Sequence, residues 1–127
     1  MVTQSDGEFD FERLDVYQRA VSFTNDLFRF CNNLPFKVQS SLGDQLRRAS
    51  LSVCNNIAEG SDKASSKEKI VFYNYALSSM RECVPCMTVA FDQNLLSGEK
   101  LNEFREKCLI ICRMLKRLIQ SVERRGK

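Results

Sequence analysis

The stretch Gln45–Gly60, QLRRASLSVCNNIAEG, decides how the rest of the chain is read. On a helix of 3.6 residues per turn, Leu42, Leu46, Ala49, Val53 and Ile57 form one apolar stripe, and Gln45, Arg48, Ser52, Asn55 and Glu59 run along the other side. Ala49, Ser50, Ser52, Cys54, Ala58 and Gly60 add little bulk, and small side chains let neighbouring backbones approach closely. A central helix from about Leu42 to Glu59 follows, with Gly60 as the residue type that tolerates a left-handed turn after a helix end. Gln45, Ser52, Asn56 and Glu59 are read as structural polar residues, the last three hydrogen-bonding between helices and capping the start of the next one.

Upstream, Leu14, Tyr17, Val21, Thr24, Phe28 and Cys31 recur at alternating steps of three and four, with Ala20, Leu27 and Leu34 alongside. This first helix stops at Pro35, because the residue before a proline is pushed out of helical geometry, and Ser40 or Ser41 is placed to cap its successor. Downstream, Ser65 and Glu68 have the spacing of a capping box. The third helix carries a seam at Ile70, Tyr73, Leu77, Met80, Val84, Met87 and Phe91, with Pro85 inside it predicting a local kink. After a connection at Asn94–Gly98, with Ser97 as N-cap, the same alternation returns at Leu101, Phe104, Cys108, Ile111, Leu115, Leu118 and Val122. The fold expected is all-α: an antiparallel up-down-up-down four-helix bundle over residues 11–127, preceded by a flexible acidic N-terminal segment, residues 1–10.

A chain of 127 residues, 43% hydrophobic and 28% charged, suits one domain with its own core. The net charge of +3 is unevenly spread. Asp6, Glu8, Asp10 and Glu12 occupy the first twelve residues without a cation, whereas Arg113, Lys116, Arg117, Arg124, Arg125 and Lys127 face only Glu123 at the other end. MVTQSDGEFD has neither the basic nor the apolar region of an export signal, and no apolar run is long enough to span a bilayer. A cytoplasmic protein with reduced thiols and no membrane partner is expected.

Histidine is absent, which removes the commonest general base, and there is no glycine-rich phosphate loop. The chain is read as non-enzymatic, with no cofactor. Cys83 with Cys86, and Cys108 with Cys112, would allow a four-thiolate zinc site between two antiparallel helices, but mid-helix positions within apolar seams equally suit buried free thiols. The second reading, with no metal, is the one adopted. Arg113, Arg117, Gln120 and Arg124 form a cationic stripe beside the fourth seam, flanked by Lys116 and Arg125; Arg47 and Arg48 make a second patch, and Lys63, Lys67 and Lys69 a third. Arg47, Arg48, Arg113, Lys116, Arg117 and Arg124 are the candidate nucleic-acid contacts, giving affinity without sequence readout. The alternative is a solvated face, in which Asp44 and Arg48 pair at i,i+4.

FERLDVYQRAV (Phe11–Val21), QLRRASLSVCNNIAEG, SSKEKIVFYNYA (Ser65–Ala76) and SSMRE (Ser78–Glu82) resemble the four-helix bundle proteins of the 23S ribosomal RNA intervening-sequence family. The most specific part is the set Gln45, Arg48, Ser52, Asn56, Ile57, Ala58, Glu59 and Gly60. Two departures stand out: Cys54 where the family often has proline, and Glu82, Val84, Pro85 and Cys86 where it tends to have an E-x-E-T-Q-like run. The resemblance implies a bundle that assembles as a ring, commonly a homopentamer, without enzymatic activity. A more distant similarity is to the accessory variability proteins of diversity-generating retroelements, basic pentameric bundles that work with a reverse transcriptase and bind nucleic acid. The function expected is therefore a homo-oligomeric bundle binding structured RNA or DNA. The alternative is a scaffold for a protein partner such as a reverse transcriptase.

Overall fold

Four long helices make up most of residues 9–126, the part of the chain that the computed structural model describes: α1 (Asp15–Asn32), α2 (Asp44–Asp62), α3 (Ser66–Asp92) and α4 (Gly98–Arg125). There is no strand among the described residues, and no helix there is long and apolar enough to cross a membrane. Of the expected acidic lead-in, residues 1–8 lie outside the described residues, and Asp10–Arg13 forms a 3-10 turn ahead of α1.

Cross-contacts give consecutive helices opposite senses. Thr24 donates to the Ser50 carbonyl at 3.2 Å, whereas Asn32, two turns further along α1, accepts from the earlier Arg47. Ser52 bonds Ser79 at 2.9 Å while the later Gly60 faces the earlier Tyr73. Arg81 lies beside Cys112, and Tyr73 beside Arg125. Phe30 meets Phe104 and Asp26 meets Lys107, which closes α4 onto α1. The α2–α3 interface is the most extensive and α1–α4 the thinnest, so α2 and α4 are diagonal across the bundle.

The core uses the apolar stripes of α2 and α4 as expected: Leu46, Ala49, Val53 and Ile57 on one, Phe104, Cys108, Ile111 and Leu115 on the other. On α1 and α3 the packed stripe is rotated from the expected seam. α1 buries Thr24 and Cys31 of the expected seam and Ala20 and Leu27 from beside it, adds Val16 and Phe23, and leaves Tyr17, Val21 and Phe28 half-buried. α3 buries Tyr73, Ala76, Met80, Cys83, Met87 and Ala90, so only three of the seven seam residues reach the interior and Phe91 is 42% exposed. Both helices carry apolar residues on more than one side. The side with the small residues Ala76, Cys83 and Ala90 wins because it lets α3 pack closest to its neighbours.

The helix ends correct several expectations. Leu42 and Ser40–Ser41 belong to a π-helical turn, Gln39–Gly43, so neither serine caps α2, and Gly43 at the N-cap makes no side-chain cap bond. Gly60 does not end α2, which continues to Asp62. It is a close contact with α3: a Cβ there would lie 2.8 Å from Tyr73 Cε1. Among the described residues the left-handed position is Asn94, with φ 62°, after α3. Its N–H bonds the Phe91 carbonyl and the Leu95 N–H bonds Ala90, the paired bonds of a Schellman motif. Ser97 caps α4 by accepting from the Lys100 N–H at 3.0 Å, and Ser65 accepts from Glu68 N–H at 3.1 Å. The Glu68 carboxylate accepts from the Ser65 hydroxyl, in place of the Ser65 N–H of a full capping box. α3 runs on unbroken through Pro85, which is exposed, so the Arg81 carbonyl that loses its helical partner lies on the solvent side.

Candidate nucleic-acid interface

The six candidate cations separate into three environments. Arg47 is a structural residue. Its side chain is 22% exposed, and its guanidinium donates to Asp44 Oδ1 at 3.2 Å, Asn32 Oδ1 at 3.2 Å and Gln39 Oε1 at 2.7 Å. Gln39 in turn donates to the Cys31 and Leu34 carbonyls, covering the end of α1. This chain of bonds holds the α1–α2 connection, and it takes up the donors that a phosphate would need. Because Asp44 pairs with Arg47, the expected Asp44–Arg48 pair is not formed. Arg47→Met should lower stability by about 1–2 kcal/mol, the range for bonds to a charged donor, with no change in nucleic-acid affinity. Urea denaturation read alongside a binding titration checks both halves.

Arg48 is exposed on the outer side of α2 with no ion pair among the described residues. Since α2 and α4 are diagonal, Arg48 and the α4 cations face different directions and do not share one surface of a single copy.

Arg113, Lys116, Arg117 and Arg124 are all exposed, and none makes an ion pair or hydrogen bond with the described residues. Arg113, Arg117, Gln120 and Arg124 fall opposite Phe104, Ile111, Leu115 and Val122, so the stripe looks directly outward instead of lying beside the seam. Lys116 is turned towards α3, where it neighbours Cys112. Arg124 and Arg125 sit in the last turn, where cations complement the helix dipole. Arg113, Lys116 and Arg117 lie two or more turns earlier, beyond the reach of that effect, so the helix end does not account for them.

The lysine patch dissolves in the structure. Lys63 pairs with Glu59 at 3.2 Å and lies 5.0 Å over the Phe72 ring, and Lys69 donates to the Ser61 and Gly60 carbonyls at the end of α2. Lys67 alone of the three is exposed without a partner among the described residues. Within the polar set of α2 one bond runs between helices, and the expected cap of α3 comes from Ser65 instead. Asn56 donates to Ser52 Oγ and to its carbonyl, and Ser52 bonds Ser79 across the α2–α3 interface. Glu59 holds Lys63, and Gln45 is exposed beside an apolar groove with Leu42 and Val89.

Two further cations belong to no patch in the sequence. Arg81 and Arg105 sit on different helices among mixed charges, and only packing brings them to the edges of one cleft between α3 and α4. At the α1–α4 seam Asp26 pairs with both Lys107 and Arg29. Burial alone would raise the Asp26 carboxyl, but hydrogen bonds and charge from Lys107 and Arg29 outweigh it and hold it below its ordinary value.

The six cysteines are free thiols, and no three His, Cys, Asp or Glu side chains among the described residues converge where a metal ion would sit. Cys83 and Cys108 are buried; burial first, then the neighbouring cysteines, push both thiols up, Cys108 to about 12.

A family model for the 23S rRNA-intervening sequence protein matches residues 12–117. The chain belongs to that family. The match runs from the turn before α1 to Arg117, so it takes in Arg113, Lys116 and Arg117 while Arg124 lies outside it. Comparison with curated proteins returned no match.

Proposed function

We propose that this family member is a non-enzymatic helical bundle that self-associates, as a pentamer on the family expectation, and binds structured RNA or DNA through the outward face of α4. The observation that carries the reading is the group Arg113, Lys116 and Arg117: exposed, unpaired among the described residues, and out of reach of the helix dipole. The family description, which refers to an intervening sequence of 23S rRNA, favours RNA.

The mechanism is electrostatic. At 1.5 Å per residue the stripe from Arg113 to Arg124 is about 16 Å long, room for about five phosphate steps of one duplex strand at 3.4 Å. Cations spaced along it displace condensed counterions, and the sequence of the bases goes unread. Self-association would repeat the stripe and multiply individually weak contacts. Its support is α3, apolar on its outer side as well, where Val71, Tyr75 and Val89 remain exposed.

Four phosphate contacts per copy predict a slope of about −3 to −4 in log affinity against log salt, so raising salt from about 50 to 200 mM should weaken binding about a hundredfold. Anisotropy titrations of a labelled structured RNA, with light scattering for the mass of the complex, test this. Binding that ignores salt would refute the electrostatic mechanism, and a monomer in solution would refute the assembly.

A further inference from the structure

The cleft between α3 and α4 lies on another side of α4 from the stripe. Val84, Pro85, Leu109 and Cys112 floor it, and Arg81 and Arg105 stand at its edges, around a space of about 380 Å³. Leu109 is 51% exposed although apolar, and Pro85 is exposed beside it. Neither arginine has a hydrogen bond or ion pair among the described residues, and each has a thiol near it, Cys112 for Arg81 and Cys108 for Arg105. No carboxylate lines the cleft. By contrast Lys100 and Lys107 of the same helix are both paired, with Glu103 and Asp26.

We propose that this cleft docks an acidic amphipathic segment of a partner polypeptide, its apolar side chains on Val84, Pro85 and Leu109 and its carboxylates on Arg81 and Arg105. Charge complementarity selects the occupant. Two guanidinium groups at the edge of an apolar floor are matched by carboxylates at the edge of an apolar stripe, and the planar guanidinium fork accommodates a carboxylate with two parallel bonds. A helix with apolar residues at i, i+3, i+4 and i+7 suits a cleft bounded by two helices. A nucleic acid would use the same cations but leave the floor unmatched, since it offers no aromatic ring on which a base could stack.

The test uses the full chain and three labelled synthetic helical peptides: one with a leucine stripe flanked by glutamates, one with lysines for the glutamates, and one with serines for the leucines. The leucine–glutamate peptide should bind, and Arg81→Glu/Arg105→Glu should weaken it about tenfold or more while improving binding of the lysine peptide. Arg19→Glu/Lys67→Glu changes net charge equally and should leave the leucine–glutamate peptide within about twofold, because Arg19 lies on α1 and Lys67 at the far end of α3, both exposed and remote from the cleft. Leu109→Ser, which perturbs no charge, should weaken the same peptide about threefold to fivefold through lost apolar contact. The proposal is overturned if the leucine–glutamate peptide does not bind, if the serine peptide binds as well, or if neither the arginine pair nor Leu109 matters. Displacement of the peptide by a structured RNA only in the chain with intact Arg81 and Arg105 would reassign the cleft to nucleic acid.

Discussion

Gly60→Val is expected to destabilise the chain by about 3 kcal/mol, at the upper end of what overpacking a well-filled interior costs. A Cβ at Gly60 would stand 2.8 Å from Tyr73 Cε1, 2.9 Å from Tyr73 Cδ1 and 3.1 Å from Phe72 Cβ. None of these is the far end of a flexible chain. Tyr73 is 3% exposed, and a ring so enclosed cannot swing aside without moving α3. Helix propensity alone argues the other way, since replacing a mid-helix glycine by alanine gains about 1 kcal/mol. The sign of Gly60→Ala therefore decides between the two accounts: close packing predicts a net loss of about 1 kcal/mol, because the clash exceeds the propensity gain. Urea unfolding measures both variants. If Gly60→Ala stabilises the chain, the contact between α2 and α3 is looser than a 2.8 Å approach to Tyr73 requires. Tyr73→Leu in the Gly60→Val background should recover part of the loss, since the two positions are in direct contact and their effects are not additive.

Reversing the stripe with Arg113→Glu/Arg117→Glu/Arg124→Glu is expected to reduce affinity for structured RNA about a hundredfold or more at low salt, and to flatten the salt dependence by about three contacts per copy. Stability should hardly move. All three side chains are exposed and unpaired among the described residues, so no internal bond is lost, and only Arg124 gives up a favourable place at the helix end, worth about 0.5 kcal/mol. The comparison with Arg47→Met is what makes the result informative, because Arg47 is held by Asp44, Asn32 and Gln39. If phosphate binding runs along α4, one variant loses affinity and keeps its stability while the other does the reverse. Affinity that survives the triple reversal would remove α4 as the contact surface.

Arg47 and Arg48 show where reading residues in order reaches its limit. Adjacent in the chain, they look like one patch, but they differ by 100° around the helix. One points into the α1–α2 corner and the other into solvent. The reverse holds for Arg81 and Arg105, which are 24 positions apart and hidden among glutamates, yet meet across one cleft.

The amino-acid order by itself determined the number of helices, the proline that ends the first, the serine caps of the last two, the core stripes of α2 and α4, and the membership of a family. These are local properties: each depends on periodicity, on a backbone donor near a hydroxyl, or on a ring that fixes φ. Tertiary structure decided the rest. It chose which of two apolar sides of α1 and α3 turns inward, because the choice rests on fit against neighbouring helices and both sides satisfy the hydrophobic pattern. It turned Gly60 from a helix end into a contact point, because only the approach of Tyr73 shows why a side chain is missing there. It also sorted the cations into those that hold the bundle and those left facing outward, since that depends on which carboxylates and carbonyls each guanidinium or ammonium meets once the helices are packed.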